Sequence, residues 1–252
     1  MLALALLSPA CMDPLTAIAA SGLRARMESL DMLANNIANA STGGYKADRE
    51  FYNLYTSPEA AGDDSLSTMP LIERPWVDHS QGILHTTGNA LDVAISGKGF
   101  FAVNGPSGPL YTRNGSFRLA ADGKLTTPEG YPVRDPQGTA LTLQTTRPVE
   151  IARDGTVTQD GTIVGKLEVV DFTSTAGLSK QGSNYFRADP PLKPAPSADA
   201  SLQQGSLEAS NTGSAEAAVR LVSVLRQFEM MQKAVSIGND MGKRAIEEVA
   251  KV

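Results

Sequence analysis

Chemistry-bearing residues are scarce in this 252-residue chain, which has one cysteine, Cys11, and two histidines, His79 and His85. A lone cysteine permits neither an intrachain disulfide nor a thiolate metal cluster. The histidines lie six apart in a stretch that reads as strand and turn. With no third ligand in a recognisable pattern, they read as solvent-facing or hydrogen-bonded side chains. A formal net charge of −5 and the lack of a Lys/Arg cluster argue against a nucleic-acid partner. Long apolar runs are missing too. The opening MLALALLSPAC is too short to span a bilayer and lacks the basic start of a secretory signal. It reads as a start placed too early, with Met12 the first residue of the patterned chain.

Catalytic signatures are equally thin. SGKGFF (96–101) lacks the third glycine and the following helix of a dinucleotide site, and no G-x-S-x-G elbow occurs. GNDMGKR (238–244) echoes a phosphate loop, but it is one residue short and Arg244 replaces the required Ser or Thr. No enzyme activity, cofactor, metal or small-molecule substrate is expected. A structural or binding role is what remains, and the repeated Asp-Gly pairs leave a secreted calcium-binding or adhesive β protein as the reading from a different class.

What the chain does have is a helix at each end. Asp13-Pro14 forms a capping and first-turn pair. Leu15, Ile18, Leu23, Met27, Leu30, Leu33 and Ile37 then recur mostly three or four apart, until Ser41 to Gly44 stop the helix. Three asparagines, Asn35, Asn36 and Asn39, crowd its last turns, although asparagine competes for backbone hydrogen bonds. At the other end Ser214 and Glu216 suit a helix start. Leu221, Val224, Phe228, Met231 and Val235 alternate by three and four, the spacing of a coiled-coil seam, with Leu225 beside it. Gly238 and Gly242 share one face, where a second backbone can come close, and an imperfect helix end is the equal alternative.

Between the helices the grammar is β. LDVAISGKGFFAV (91–103) predicts a hairpin about Ser-Gly-Lys-Gly, and Asn114-Gly115, Asp122-Gly123, Asp154-Gly155 and Asp160-Gly161 predict turns between short strands. The fold class is therefore α+β: discontinuous N- and C-terminal helices forming a coiled-coil region, with an inserted antiparallel all-β domain. Its segments are a helix over 12–44, an extended connector over 45–80, the β domain over 81–188, a proline-rich extended linker over 189–213 and the last helix over 214–252.

Three ordered stretches carry a family resemblance. MDPLTAIAASGLRARMESLDMLANNIANASTGGYKADREF (12–51) resembles the N-terminal signature of bacterial flagellar rod and hook proteins. LDVAISGKGFFAV, YTRNGSF and DGKLTTPEGYPV resemble their central β region, and QQGSLEASNTGSAEAAVRLVSVLRQFEMMQKAV (203–235) their C-terminal signature. The chain is most similar to the proximal rod members, with distal rod members next. One departure is Thr212, where the family usually places valine after the Asn of the Leu-Glu-x-Ser-Asn motif. The resemblance implies a non-enzymatic axial subunit of the basal-body rod in the periplasmic space, exported through the flagellar type III apparatus without a cleaved signal. It implies that other rod subunits, its own copies and neighbouring rod proteins, are partners of the terminal helices. The assembly interface expected on this basis comprises Leu15, Ile18, Leu30, Asn35, Asn36, Ile37, Asn39, Leu221, Leu225, Phe228, Met231 and Val235. At least one of the asparagines is expected to bond across a helix contact, the other reading being solvent-facing side chains or local caps, and the helices are expected to stay frayed until neighbours cover their apolar stripes.

Overall fold

The computed structural model describes residues 14–50, 52–56, 68–72, 75–144, 146–182 and 184–249. Within these, side chains are described except at 14–19, 52–56, 68–72, 245, 246, 248 and 249. The expected early start and Cys11 lie outside the described residues.

Two long helices frame the chain as the periodicities predict: α1, Pro14–Ala38, and α2, Ser214–Val249. At 1.5 Å per residue, the 36 residues of α2 extend roughly 54 Å. All the registered strand pairs between them are antiparallel. The α+β class thus stands. The coordinates divide into two compact units. Among the described residues, one gathers those of 14–35, 48–76 and 215–249, and the other those of 36–47 and 77–214.

In the helical unit, α1 buries Gly22, Ala25, Ser29 and Leu33, which all fall on one face. α2 turns Ala217, Leu221, Val224, Phe228, Met231, Val235 and Gly238 inward at alternating steps of four and three. The two stripes meet within a single chain. A Cβ on Gly22 would stand 3.1 Å from Met231 Sδ, so the methionine end packs directly over the glycine. Arg220 of α2 is held by Glu50 at 2.6 Å. The segment expected as a bare connector folds here as well, pairing Tyr52–Thr56 with Thr68–Ile72. A Cβ added at Gly238 or Gly242 would meet nothing within 4 Å among the described residues.

The β unit is built around a six-stranded sheet in the order Leu178–Gln181, Tyr185–Ala188, Gly108–Thr112, Phe100–Gly105, Val169–Asp171, Ala195–Pro196. Its central strand explains the unbroken FFAV run. Phe101 and Val103 enter one core with Ile95, Phe117, Leu125 and Leu167, while Phe100 and Ala102 enter a second with Tyr111, Phe172 and Phe186. A strand buried on both faces has no reason to alternate.

Turn chemistry predicts three hairpins correctly. Arg118–Leu119 pairs with Leu125–Thr126, Val149–Ile151 with Thr156–Gln159, and the latter with Thr162–Lys166. The hairpin expected about Ser96-Gly97-Lys98-Gly99 does not form. Val93–Ser96 pairs with Ser201–Gln204, whereas Phe100–Gly105 pairs with Gly108–Thr112 and Val169–Asp171. Gly97 and Gly99, at φ +98° and +136°, turn the chain from one sheet into another. The stretch expected as a plain extended linker also supplies strands, because Ala195–Pro196 closes the edge of the main sheet and Ser206–Glu208 pairs with Leu84–Thr86.

Candidate functional site

The most unusual chemistry in the β unit is a buried trio of charges, Lys46, Arg113 and Glu208. Lys46 and Glu208 side chains are fully buried and Arg113 is 4% exposed. Lys46 Nζ donates to Glu208 Oε1 at 2.5 Å and to the Ser80 carbonyl at 2.6 Å. Arg113 Nη1 donates to Glu208 Oε2 at 3.2 Å, and Nη2 to the Gly97 carbonyl at 2.8 Å. The Gly82 amide completes the set on Glu208 Oε1 at 2.9 Å. Burial without these partners would cost several kcal/mol per charge, so one carboxylate bridging two cations is what keeps all three tolerable. Burial holds the Lys46 ammonium and the Arg113 guanidinium below their ordinary pKa values, and Glu208 opposes that shift at both.

The neighbouring residues tie the same two stretches of chain together. Asn211 accepts from the Ala47 amide at 2.8 Å and donates to the Asp78 carbonyl at 2.7 Å. The Gly44 amide donates to the Glu208 carbonyl at 2.8 Å. Lys180 lies 4.4 Å from the centre of the Tyr45 ring and donates to the Lys46 carbonyl at 2.7 Å. This clasp joins the segment that follows α1 to the segment that precedes α2. Thr212, the departure noted in the motif, leaves the contacts of Asn211 in place.

Tyr45 accounts for one of the asparagines. Asn36 is buried, and its Oδ1 accepts from the Tyr45 hydroxyl at 3.0 Å. Asn39 Oδ1 accepts from Thr42 Oγ1 at 3.2 Å, in the turn that ends the helix. Asn35 is exposed. Of the remaining expected interface residues, Leu30, Ile37, Leu221, Phe228, Met231 and Val235 are half-buried, Leu225 is 40% exposed, and Leu15 and Ile18 lie at the start of α1, where side chains are not described. No local sequence pattern marks the clasp as a site. Its charges come from the GGYK, YTRNGSF and SLEASN stretches, each of which carries one charge among small and apolar residues.

His79 packs beside the clasp, its ring 5.6 Å from Phe100 and 5.0 Å from Phe186. Burial, and then the charges of Lys46, Arg113 and Lys180, push its pKa down to about 4. The unfolded chain therefore takes up a proton near pH 6.5 that the folded chain refuses until about 4, so stability falls as pH drops through that window. The loss amounts to roughly 3 kcal/mol by pH 4. Replacing His79 with phenylalanine should flatten the 4–6.5 range in acid-titrated urea unfolding. Asp122, Asp135 and Asp154, which accept from backbone amides in their own turns, have lowered values, and their contribution persists until pH falls through their folded pKa values below 3.8.

Comparison with known proteins places these features. Residues 17–46 match the flagella basal body rod protein family, 94–164 the flagellar hook protein FlgE/F/G D1 domain, and 203–248 the flagellar basal body rod FlgEFG protein C-terminal family. Lys46, Arg113 and Glu208 thus fall one in each matched segment. The chain is 33% identical to the flagellar basal-body rod protein FlgF of Caulobacter vibrioides, over 88% of this chain and 92% of that one. It is 34% identical to FlgG of Agrobacterium fabrum, over 89% and 95%. FlgG of Bacillus subtilis is 29% identical over 88% and 93%. The order of the three segments and the near-full-length likeness have one meaning: this chain belongs to the flagellar basal-body rod protein family, a structural family with no catalytic role.

Proposed function

We propose that the protein is an axial subunit of the proximal rod and that it polymerises through α1 and α2 into a coiled-coil tube. It reaches the periplasmic space through the type III export apparatus. The observation that carries this reading is the doubled face of α2. Its seam from Ala217 to Gly238 turns inward, yet Val219, Val222, Met230, Ile237 and Met241 form a second apolar row on the opposite side, Val219 at 72% exposed. A helix needs one stripe to fold onto its own chain, and a second awaits another surface. The expected interhelical asparagine contact falls to Asn35, which is exposed on α1.

The distal rod is the second reading, because relatives named FlgF and FlgG are similar to this chain to about the same degree, 33% and 34%. The calcium-binding or adhesive alternative gives way to the family assignment.

Leu225→Asp tests polymerisation. A charge beside the outer row should lower incorporation into isolated basal bodies by about tenfold or more, because it must be desolvated at the contact. The β unit should keep its thermal transition, since Leu225 belongs to the other unit. Normal incorporation of the variant would sink the reading.

A further inference from the structure

The outward faces of the two helices differ in kind. On α1, Ala20, Arg24, Met27, Asp31, Ala34 and Ala38 are exposed and recur at three or four residues, so they form one straight stripe. Half of it is alanine, at Ala20, Ala34 and Ala38. Arg24 is already neutralised by Glu28 at 3.0 Å, which leaves Asp31 as the stripe's uncompensated charge. On α2 the outer row of Val219, Val222, Met230 and Ile237 is bulky and is interrupted by Arg226 and Lys233, both cations. Val219, Val222, Arg226 and Met230 line one shallow groove with Ala218, Ser223 and Gln227. Neither Asp31 nor Arg226 has an ion pair among the described residues.

We infer that the occupant of the α2 groove is the outer stripe of α1 from a second copy of this chain, registered by Asp31 of one copy against Arg226 of the next. This rests on the polymerisation reading and names its contact. Small residues opposite bulky ones let two helix backbones approach, and Met27 and Ala34, flanking Asp31, then fall beside Val222 and Met230 in either helix direction. The charge pair sets the register that apolar surfaces alone leave loose. Because the two faces are different patches of one molecule, the contact is head-to-tail. A head-to-tail contact leaves a free α1 stripe at one end and a free α2 groove at the other, and it grows open-ended where successive copies do not close into a ring.

The test is a charge exchange in the full-length chain, with Asp31→Arg, Arg226→Asp, the double variant and Leu225→Asp compared for incorporation into basal bodies. Each single reversal should cut incorporation by about tenfold, and the double should recover to within about twofold of the unaltered chain. Equal far-ultraviolet circular dichroism for all four would exclude misfolding as the cause. A double variant no better than either single overturns the pairing. Single reversals that assemble normally while Leu225→Asp fails also overturn the pairing and leave polymerisation standing. If Leu225→Asp assembles normally, polymerisation itself falls.

Discussion

Replacing Glu208 with glutamine is expected to remove about 3–5 kcal/mol from the stability of the β unit, the loss typical of breaking a buried ion pair from one side. The size follows from what is left behind. Glutamine can still accept from the Gly82 amide, but Lys46 and Arg113, at 0% and 4% exposed, would keep two positive charges with no buried counter-charge in contact. For a chain of this length each kcal/mol is worth roughly 2–4 °C, so the thermal midpoint should fall by about 10 °C. A second signature separates charge from simple misfit. Burial already lowers the Lys46 pKa from 10.5 while Glu208 holds it up. Without Glu208 it drops further, and the ammonium can shed its proton in the folded state. A folded value below the unfolded one means that stability is regained as pH rises through the folded pKa. The deficit of Glu208→Gln should therefore be smaller at pH 9.5 than at pH 7 in urea titrations, whereas a deficit unchanged across that range would assign the loss to packing.

The helices and the clasp differ sharply in how far they could be read from the sequence. α1 and α2 announce themselves because helical periodicity is local, and every step from Leu15 to Ile37 or from Leu221 to Val235 is legible within a few residues. The Asp122-Gly123, Asp154-Gly155 and Asp160-Gly161 hairpins are legible for the same reason. Their glycines need positive φ, +81°, +88° and +75°, and Asp160 itself sits at φ +49°. Gly97 and Gly99 use the same residue type for a different purpose, and nothing nearby reveals that Val93–Ser96 pairs with a strand more than a hundred residues later. Pro196 misleads in the opposite sense. A proline-rich stretch reads as linker, yet an edge strand tolerates proline on its open side. The clasp is the extreme case, since Lys46 and Glu208 are 162 residues apart. In SLE, Ser206 and Glu208 are buried and Leu207 is not, so the usual apolar-inward rule points away from the residue that matters.

Gly44→Ala is expected to be about as damaging as the loss of Glu208, and for a reason visible only in three dimensions. Gly44 sits at φ +68°, a conformation that costs an alanine roughly 1–2 kcal/mol. A Cβ there would also lie 2.3 Å from the Asn114 nitrogen and 2.4 Å from the Arg113 carbonyl carbon. These are backbone atoms and cannot swing aside. Relief has to come from moving the loop that carries Tyr45 and Lys46, and that loop is fastened by Gly44 N to Glu208 O at 2.8 Å on one side and by Asn211 to Ala47 at 2.8 Å on the other. Gly88 supplies the control. It has φ +76° with nothing within 4 Å of an added Cβ, so Gly88→Ala should show the backbone strain alone, about 1 kcal/mol in chemical unfolding. Gly44→Ala should exceed it by about 2 kcal/mol or more. Equal losses in the two variants would mean that the clasp yields to the methyl group, and that its buried charges are held less firmly than their distances imply.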